Sequence, residues 1–260
     1  MSLLISVVSH GQASLVRRLL EDMEAHCRGY AFHVLLTLNR EESLPFREKD
    51  FHFPLEVLKN PKPKGFGANH NSAFHRRASD FFAVLNPDLR FPGDPFPPLL
   101  GRLKEAGVGL AAPLIVNEKE EAEDSARLLP TPWRILVRTC RGRAGRKGDY
   151  PTGDGPVHPD WVAGMFMLFP SPVFARLGGF DERYYLYFED VDLCTRLRLA
   201  GYQILLDPAV AVVHQARRES HKKPTYLARH VHSGLLFFSS AVFWKAWRKG
   251  GRKEWIGHGP

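Results

Sequence analysis

The chain reads as an α/β protein with a mostly parallel sheet flanked by helices and a helical tail. Three observations predict this. Short apolar, β-branched runs alternate with helix-period segments through the first half, the pattern of β-α-β units. Several of those runs end in polar clusters (Ser9-His10-Gly11-Gln12, Asn39-Arg40, Asn86-Pro87-Asp88), as expected where ligands bind beyond the carboxyl ends of a parallel sheet. From Arg217 onward the chain combines basic residues with Leu, Phe and Trp, which sets off a tail.

In order, Leu3–Ser9 reads as the first strand, and Ala13–Cys27 places Leu15, Val16, Leu19, Leu20 and Met23 on one helical stripe. Phe32–Leu38 is a second strand and Leu55–Leu58 a short third. Gly65 and Gly67 punctuate the chain before a helix over Asn69–Ala78, and Phe81–Leu85 is a buried-type strand stopped by Asn86-Pro87-Asp88. A proline-rich loop over Gly93–Pro98 leads to a helix near Leu99–Ala106, then to a strand over Val108–Val116. Periodicity fades from Asn117 to Asp160, where Arg141–Gly148 reads as a mobile, solvated loop. Order returns with the aromatic strand Trp161–Phe169. A helical pattern begins near Glu189, and Val210–Val213 is an apolar strand ended by His214. A globular domain over 1–216 and a basic, aromatic helical tail over 217–260 is the simplest partition.

At 260 residues and 44% hydrophobic content the chain can hold a sizeable core. No apolar run approaches the roughly 20 residues of a membrane-spanning helix. Met1–Ser9 lacks a basic segment and a cleavage site, so it reads as a strand rather than a targeting signal. Cys27, Cys140 and Cys194 form no C-x-x-C pair, so reduced thiols in the cytoplasm are expected rather than a zinc site or disulfides. A net charge of +8 favours a polyanionic partner. No zinc finger or RNP-type strand accompanies it, which puts a phosphate-rich ligand or membrane surface ahead of nucleic acid.

Four elements can carry chemistry. Ser9 and Asn39 stand at the ends of the first two strands. Lys62–Asn71 joins lysines and glycines to a helix start, offering N–H groups and positive charge to a phosphate; Gly65, Gly67 and Asn69 are its candidate contacts, and a tight turn is the competing reading. Asn86-Pro87-Asp88 offers the Asp88 carboxylate to a hard cation such as Mg²⁺ or Mn²⁺, or simply caps the strand exit as an Asx turn. His214 joins it as a ligand only if the two strand ends converge. The fourth element is the acidic, aromatic run Asp181–Asp192. Asp192 has Arg196 four residues on and reads as a paired carboxylate. Glu189 and Asp190 fall in the first turn, where the helix dipole keeps a carboxylate ionised and able to accept a proton. Helix capping accounts for the same pair without any chemistry.

Taken together, Ile5–Ser9, Lys64–Asn69, Leu85–Asp88, Gly178–Glu182 with Glu189–Leu193, and His214 resemble family 2 glycosyltransferases, especially the rhamnosyltransferase-like branch that builds bacterial surface polysaccharides. The segments stand in family order from Leu3 to Ala216, and the Gly178–Leu193 block is highly specific. The resemblance implies a GT-A fold with a Rossmann-like mixed, mostly parallel sheet, a nucleotide-diphosphate sugar donor, a glycan or lipid-linked acceptor, and inversion at the anomeric carbon. It also implies that Asn86 and Asp88 stand for the family's metal-binding D-x-D, the neutral Asn86 leaving one carboxylate to share a Mg or Mn ion with the diphosphate. His214 would complete that metal site. Asp190 would be the catalytic base with Glu189 beside it at the acceptor, while Trp161, Gly164 and Met165 would line the sugar and acceptor pocket. One position departs: Leu38, followed by Asn39, replaces the family's nucleobase-binding Asp. Ser125–Pro132 also resembles that branch, with Arg127 either reaching donor phosphate or solvated.

Tyr226–Arg248, with Trp244, Trp247 and basic residues after them, suits a helix lying at the inner face of a membrane, or one packed on the domain. Two competing functions remain: a catalytically silent module binding nucleotide sugars or glycans on the same fold, and a basic nucleic-acid binder. Retention of Asp88, Asp190 and His214 favours the enzyme.

Overall fold

The computed structural model describes residues 1–141, 149–150, 155–215 and 224–250. Its strands are β1 (Ser2–Ser9), β2 (Ala31–Leu38), β3 (Leu55–Lys59), β4 (Phe81–Leu85), β5 (Leu89–Arg90), β6 (Val108–Val116), β7 (Ala126–Arg127), β8 (Trp161–Val162), β9 (Phe166–Pro170) and β10 (Gln203–His214). The helices are α1 (Ala13–His26), α2 (Phe66–Phe74), α3 (Phe96–Arg102), α4 (Pro132–Arg141), α5 (Ser171–Arg176), α6 (Glu189–Leu199), α7 (Pro224–Ser239) and α8 (Ala241–Gly250). Eight strands form one sheet in the order β3-β2-β1-β4-β9-β6-β10-β5, and β7 pairs with β8 in a small second one. In the large sheet β9 runs antiparallel to β4 and β6, and β5 antiparallel to β10, while its other pairs are parallel; β7 and β8 are antiparallel.

The unbroken apolar runs of the strands follow from cover on both faces of the sheet. Along β1, Leu3, Ile5 and Val7 point into a core closed by Val16 and Leu20 of α1 and Leu99 of α3. Leu4 points the other way, into a core holding Phe174, Phe180, Leu193 and Phe237. This two-residue alternation is what places α1 and α3 on one face and α2, α5 and α6 on the other.

The structure corrects three expectations about elements. The strand expected over Trp161–Phe169 is two strands in different sheets, because Ala163 and Gly164 break away to donate their N–H groups to Ser125 and Asp190. Within the aperiodic stretch after Asn117, β7 and α4 form; β7 is recruited by pairing with β8 rather than by local pattern. The tail is two helices, and Phe237, Phe243 and Ala246 are buried in the core that contains Tyr184 and Leu197. The proposed break between 216 and 217 and the expected loop after Arg141 lie outside the described residues. Among the described residues no helix is long and apolar enough to cross a membrane.

Strand direction gathers the chemistry. The carboxyl ends of β1, β2, β4, β6 and β10 share one edge of the sheet with the amino ends of β5 and β9. Ser9, Asn39, Asn86, Asp88, Gly164 and His214 therefore lie along one edge of the sheet, the expected ligand cleft of such a topology.

Candidate active site

At one end of the cleft the expected convergence of Asp88 and His214 occurs. Leu89 of β5 pairs with His214 of β10, and the Asp88 carbonyl accepts a hydrogen bond from the Gln215 N–H at 2.8 Å. His214 Nε2 lies 3.3 Å from Asp88 Oδ2, while its Nδ1 lies 2.7 Å from Glu123 Oε2. Burial pulls the imidazole towards neutrality, but the hydrogen bonds and charges of Asp88 and Glu123 outweigh it and raise its pKa to about 9. Glu123 lies in a stretch of acidic residues without periodicity, so nothing local distinguishes it in the sequence. Here it is the carboxylate that orients the histidine, as outer partners of metal-bound imidazoles do.

These residues fit a divalent cation in part. Asp88 Oδ1 is buried without a hydrogen-bond partner, an acceptor left over for a cation. Yet among the described residues no group of three or more His, Cys, Asp or Glu side chains is arranged to hold a metal. An ion here would rest on Asp88 and His214 and take its other ligands from water and a bound diphosphate, as Mg²⁺ and Mn²⁺ commonly do.

The other end of the cleft is built on the start of α6. Asp190 Oδ2 accepts the Gly164 N–H at 3.0 Å and Oδ1 the Val191 N–H at 2.8 Å. Burial raises the Asp190 carboxyl above the ordinary range; these N–H groups and the charge of Arg127 restrain the rise. Glu189 is only 5% exposed and its Oε2 has no partner. Burial, then the neighbouring Asp190 charge, drive its carboxyl well above the normal range. Both carboxyls are thus shifted towards their protonated forms, Glu189 the more strongly. Asp192 is buried and paired with Arg196 at 2.7 Å, a structural ion pair inside the protein rather than on its surface.

The turn that aims Asp190 is strained. Tyr187 and Phe188 have φ of +72° and +67°, left-handed conformations that cost L residues of order 1–3 kcal/mol each. Phe188 is the N-cap of α6 and makes no side-chain cap.

Gly65 and Gly67 serve this end of the cleft. A side chain on Gly67 would lie 2.5 Å from Phe180 Cβ, and one on Gly65 would lie 2.9 Å from the Tyr185 carbonyl. That carbonyl accepts the Phe66 N–H at 2.9 Å. Asn71 closes both hydrogen bonds with the Phe180 backbone, at 2.8 and 2.9 Å. The glycine-lysine element and the Gly178–Glu182 block are thus two halves of one packed joint. The observed work of these glycines is close approach, of backbone to backbone at Gly65 and of backbone to the Phe180 side chain at Gly67.

Ser9, Asn39 and Asn69 are buried, and their polar groups have partners within the protein. Ser9 Oγ accepts the Gln12 N–H at 3.0 Å. The Asn39 amide bonds both the N–H and the carbonyl of Lys64, at 2.8 and 2.9 Å, and also receives Asn60. Asn69 bonds Asn60 and the Gly65 carbonyl. They shape the wall that presents His10, Arg40 and Lys64. His10 is kept neutral by burial and by Arg40 and Arg229, a concentration of positive charge suited to phosphate.

Of the expected pocket residues, Trp161 is buried with its indole N–H on the Leu128 carbonyl at 3.0 Å, and the Met165 carbonyl accepts the Asn86 N–H at 2.9 Å. A side chain on Gly164 would press on Phe66 at 3.1 Å. Arg127 is not a solvated arginine. Its guanidinium lies 5.1 Å from the Trp161 ring, is held by Asp124 at 3.0 Å, and reaches Asp190 and His230 electrostatically. Arg229 and His230 of α7 were not visible as site residues in the sequence, since only tertiary packing returns the tail to the cleft. A cavity of about 450 Å³ lined by Arg28, Tyr30, His33 and Arg77 lies at the opposite edge of the sheet, away from both carboxylate groups.

No family model matches the chain. It is 26% identical over 249 residues to rhamnosyltransferase WbbL of Escherichia coli K12, covering 92% of this chain and 88% of the relative. It is 29% identical over 180 residues to N-acetylglucosaminyl-diphospho-decaprenol L-rhamnosyltransferase of Mycobacterium tuberculosis H37Rv, across 64% of this chain and 58% of that one. Among solved structures, GalNAc-T7 with UDP, GalNAc and Mn²⁺ superposes with a TM-score of 0.65 at 16% identity, over 86% of this chain and 45% of the other. The Pyrobaculum calidifontis mannosyltransferase PcManGT with GDP-Man and Mn²⁺ gives 0.61 at 16% identity, over 99% and 65%. The fold is that of the GT-A glycosyltransferases, and the chain spans about 58% of the length of its mycobacterial relative.

Proposed function

We infer that this rhamnosyltransferase-like protein of glycosyltransferase family 2 is an inverting enzyme, moving a sugar from a nucleotide-diphosphate donor to a hydroxyl of a glycan or lipid-linked acceptor in bacterial surface polysaccharide synthesis. One observation carries the mechanism: the Asp190 carboxylate oxygens, held by two backbone N–H groups, stand at the sheet edge that also bears the Asp88–His214 pair. Asp190 takes the proton of the acceptor hydroxyl as its oxygen bonds to the anomeric carbon. The bond from that carbon to the diphosphate breaks on the opposite side, and its electron pair leaves with the nucleoside diphosphate. Burial makes the Asp190 carboxylate a stronger base than a solvated aspartate, and burial shifts Glu189 beside it further towards its neutral form. A Mg or Mn ion held by Asp88 and His214 would supply Lewis-acid neutralisation of diphosphate charge. Arg40, Lys64 and Arg229 add positive charge at the same edge.

A thermal-shift screen of UDP-, dTDP- and GDP-sugars with and without Mn²⁺, followed by transfer assays on the donor that stabilises, tests this reading. Metal-dependent stabilisation by one donor class, with turnover, is expected. Stabilisation without any turnover would point instead to a silent binding module.

For location we propose the cytoplasmic face of a membrane. Trp244 and Trp247 of α8 are 45% and 53% exposed, and Lys245, Arg248 and Lys249 lie among them. Aromatic residues with basic neighbours suit an anionic bilayer surface. Trp244→Ser/Trp247→Ser in the full chain is expected to reduce flotation with anionic vesicles; equal flotation would remove the proposal.

A further inference from the structure

We propose that α7 is a positioning element for the base, with Ser233 and His230 holding the Tyr187–Phe188 turn in its left-handed shape and thereby aiming Asp190. The inference rests on the reading of Asp190 as the base and assigns a catalytic purpose to a segment that the sequence sets apart as a tail.

The turn is gripped from two sides. On one side stands α2, where the Phe66 N–H reaches the Tyr185 carbonyl at 2.9 Å and Gly65 leaves room for the Tyr184–Tyr185 backbone. On the other stands α7. Buried Ser233 donates its hydroxyl to the Leu186 carbonyl at 2.8 Å, immediately before the two left-handed residues. The His230 ring meets Tyr187 at 5.0 Å and Phe188 at 5.4 Å, and Phe237 meets Phe188 at 5.6 Å. The Arg229 guanidinium covers the Tyr185 ring at 4.4 Å. Consecutive left-handed L residues persist only where their surroundings over-determine them. The contacts from α7 fall on the two strained residues and on the two that precede them, and the strained pair leads directly into Glu189 and Asp190. Release of the turn would let the first turn of α6 rotate and carry Asp190 away from the Gly164 N–H.

The test compares Ser233→Ala with Ser233→Ala/Tyr187→Gly, both in the full chain. Glycine adopts positive φ without a side-chain penalty, so it lowers the need for the clamp. In Ser233→Ala, amide hydrogen exchange over residues 187–191 is expected to speed up about tenfold while the sheet keeps its protection. Misplacing the base should lower kcat by roughly 10- to 100-fold, with the donor KM within about twofold of the parent. The Tyr187→Gly addition should restore at least half of the lost log kcat. Unchanged exchange over 187–191, exchange rising equally throughout the chain, or no recovery in the double variant would each overturn the proposal. If the parent protein turns over no donor, the sugar-transfer reading fails, and the exchange measurements still decide whether α7 holds the turn.

Discussion

The two ends of the cleft solve opposite electrostatic problems. Around Asp88, carboxylates are arranged about an imidazole: His214 bridges Asp88 and Glu123, and its pKa rises to about 9. Around Asp190, two adjacent carboxyls are buried together, steadied by backbone N–H groups, and both are pushed upward. The first arrangement favours a protonated imidazole between two carboxylates, a proton that a bound cation would have to displace. The second makes a carboxylate basic enough to take a proton. Their scaffolds differ accordingly. The Asp88 end sits on strand ends, whereas the Asp190 end depends on a strained turn, glycine-permitted joints and a helix from the far end of the chain.

The largest test of this contrast is Asp190→Asn, expected to lower turnover by about 10²- to 10⁴-fold with donor affinity by calorimetry unchanged. A matching loss of donor binding would mean that the two ends are not separate in function. Next, Glu123→Gln should weaken the orientation of His214 and raise the Mn²⁺ concentration for half-activity by roughly 10- to 100-fold, with kcat at saturating metal largely retained. A kcat defect that Mn²⁺ cannot correct would break the assignment of Glu123 to the metal end. Gly67→Ala forces a side chain against Phe180 and is expected to cost about 1–3 kcal/mol in denaturant unfolding, since overpacking is felt in a close-packed joint. Unchanged stability would show that the joint yields more easily than its geometry indicates.

The smallest effect is a pH trend. A carboxyl whose folded pKa is raised holds a proton that the unfolded chain has already lost, so its contribution to stability declines as pH rises from about 4.3 through the raised value. Glu189→Gln should therefore gain melting temperature relative to the parent as pH increases over that window. By the same sign, kcat/KM should fall on acidification at a pH above the ordinary aspartate value of about 3.9, as Asp190 is protonated. A constant Glu189→Gln difference across pH would remove Glu189 from the role of proton holder.

Much of the fold was legible because it is written in local pattern. The β1 and β6 runs, the α1 stripe and the Phe81–Leu85 strand appear within a residue or so of their expected bounds. The stretch after Asn117 was not legible, because β7 exists only by pairing with β8, and the aromatic segment from Trp161 divides between two sheets. Among site residues, Asp88, His214 and Asp190 stand at element ends that a sequence can mark. Glu123, Arg127 and His230 carry no such mark and acquire their roles only from what lies across the cleft.

By itself, then, the sequence determined which strands alternate with helices, which carboxylates sit at strand and helix ends, and the resemblance to sugar transferases. Those features depend on residue type and spacing along a short stretch of chain. Tertiary structure decided that His214 meets Asp88, that Asn39 and Asn69 brace a wall, that Gly65 admits a neighbouring backbone and Gly67 the Phe180 side chain, and that the tail returns to the turn before Asp190. Each of these depends on atoms distant in sequence being brought within a few ångströms, and burial then raises the carboxyls of Glu189 and Asp190.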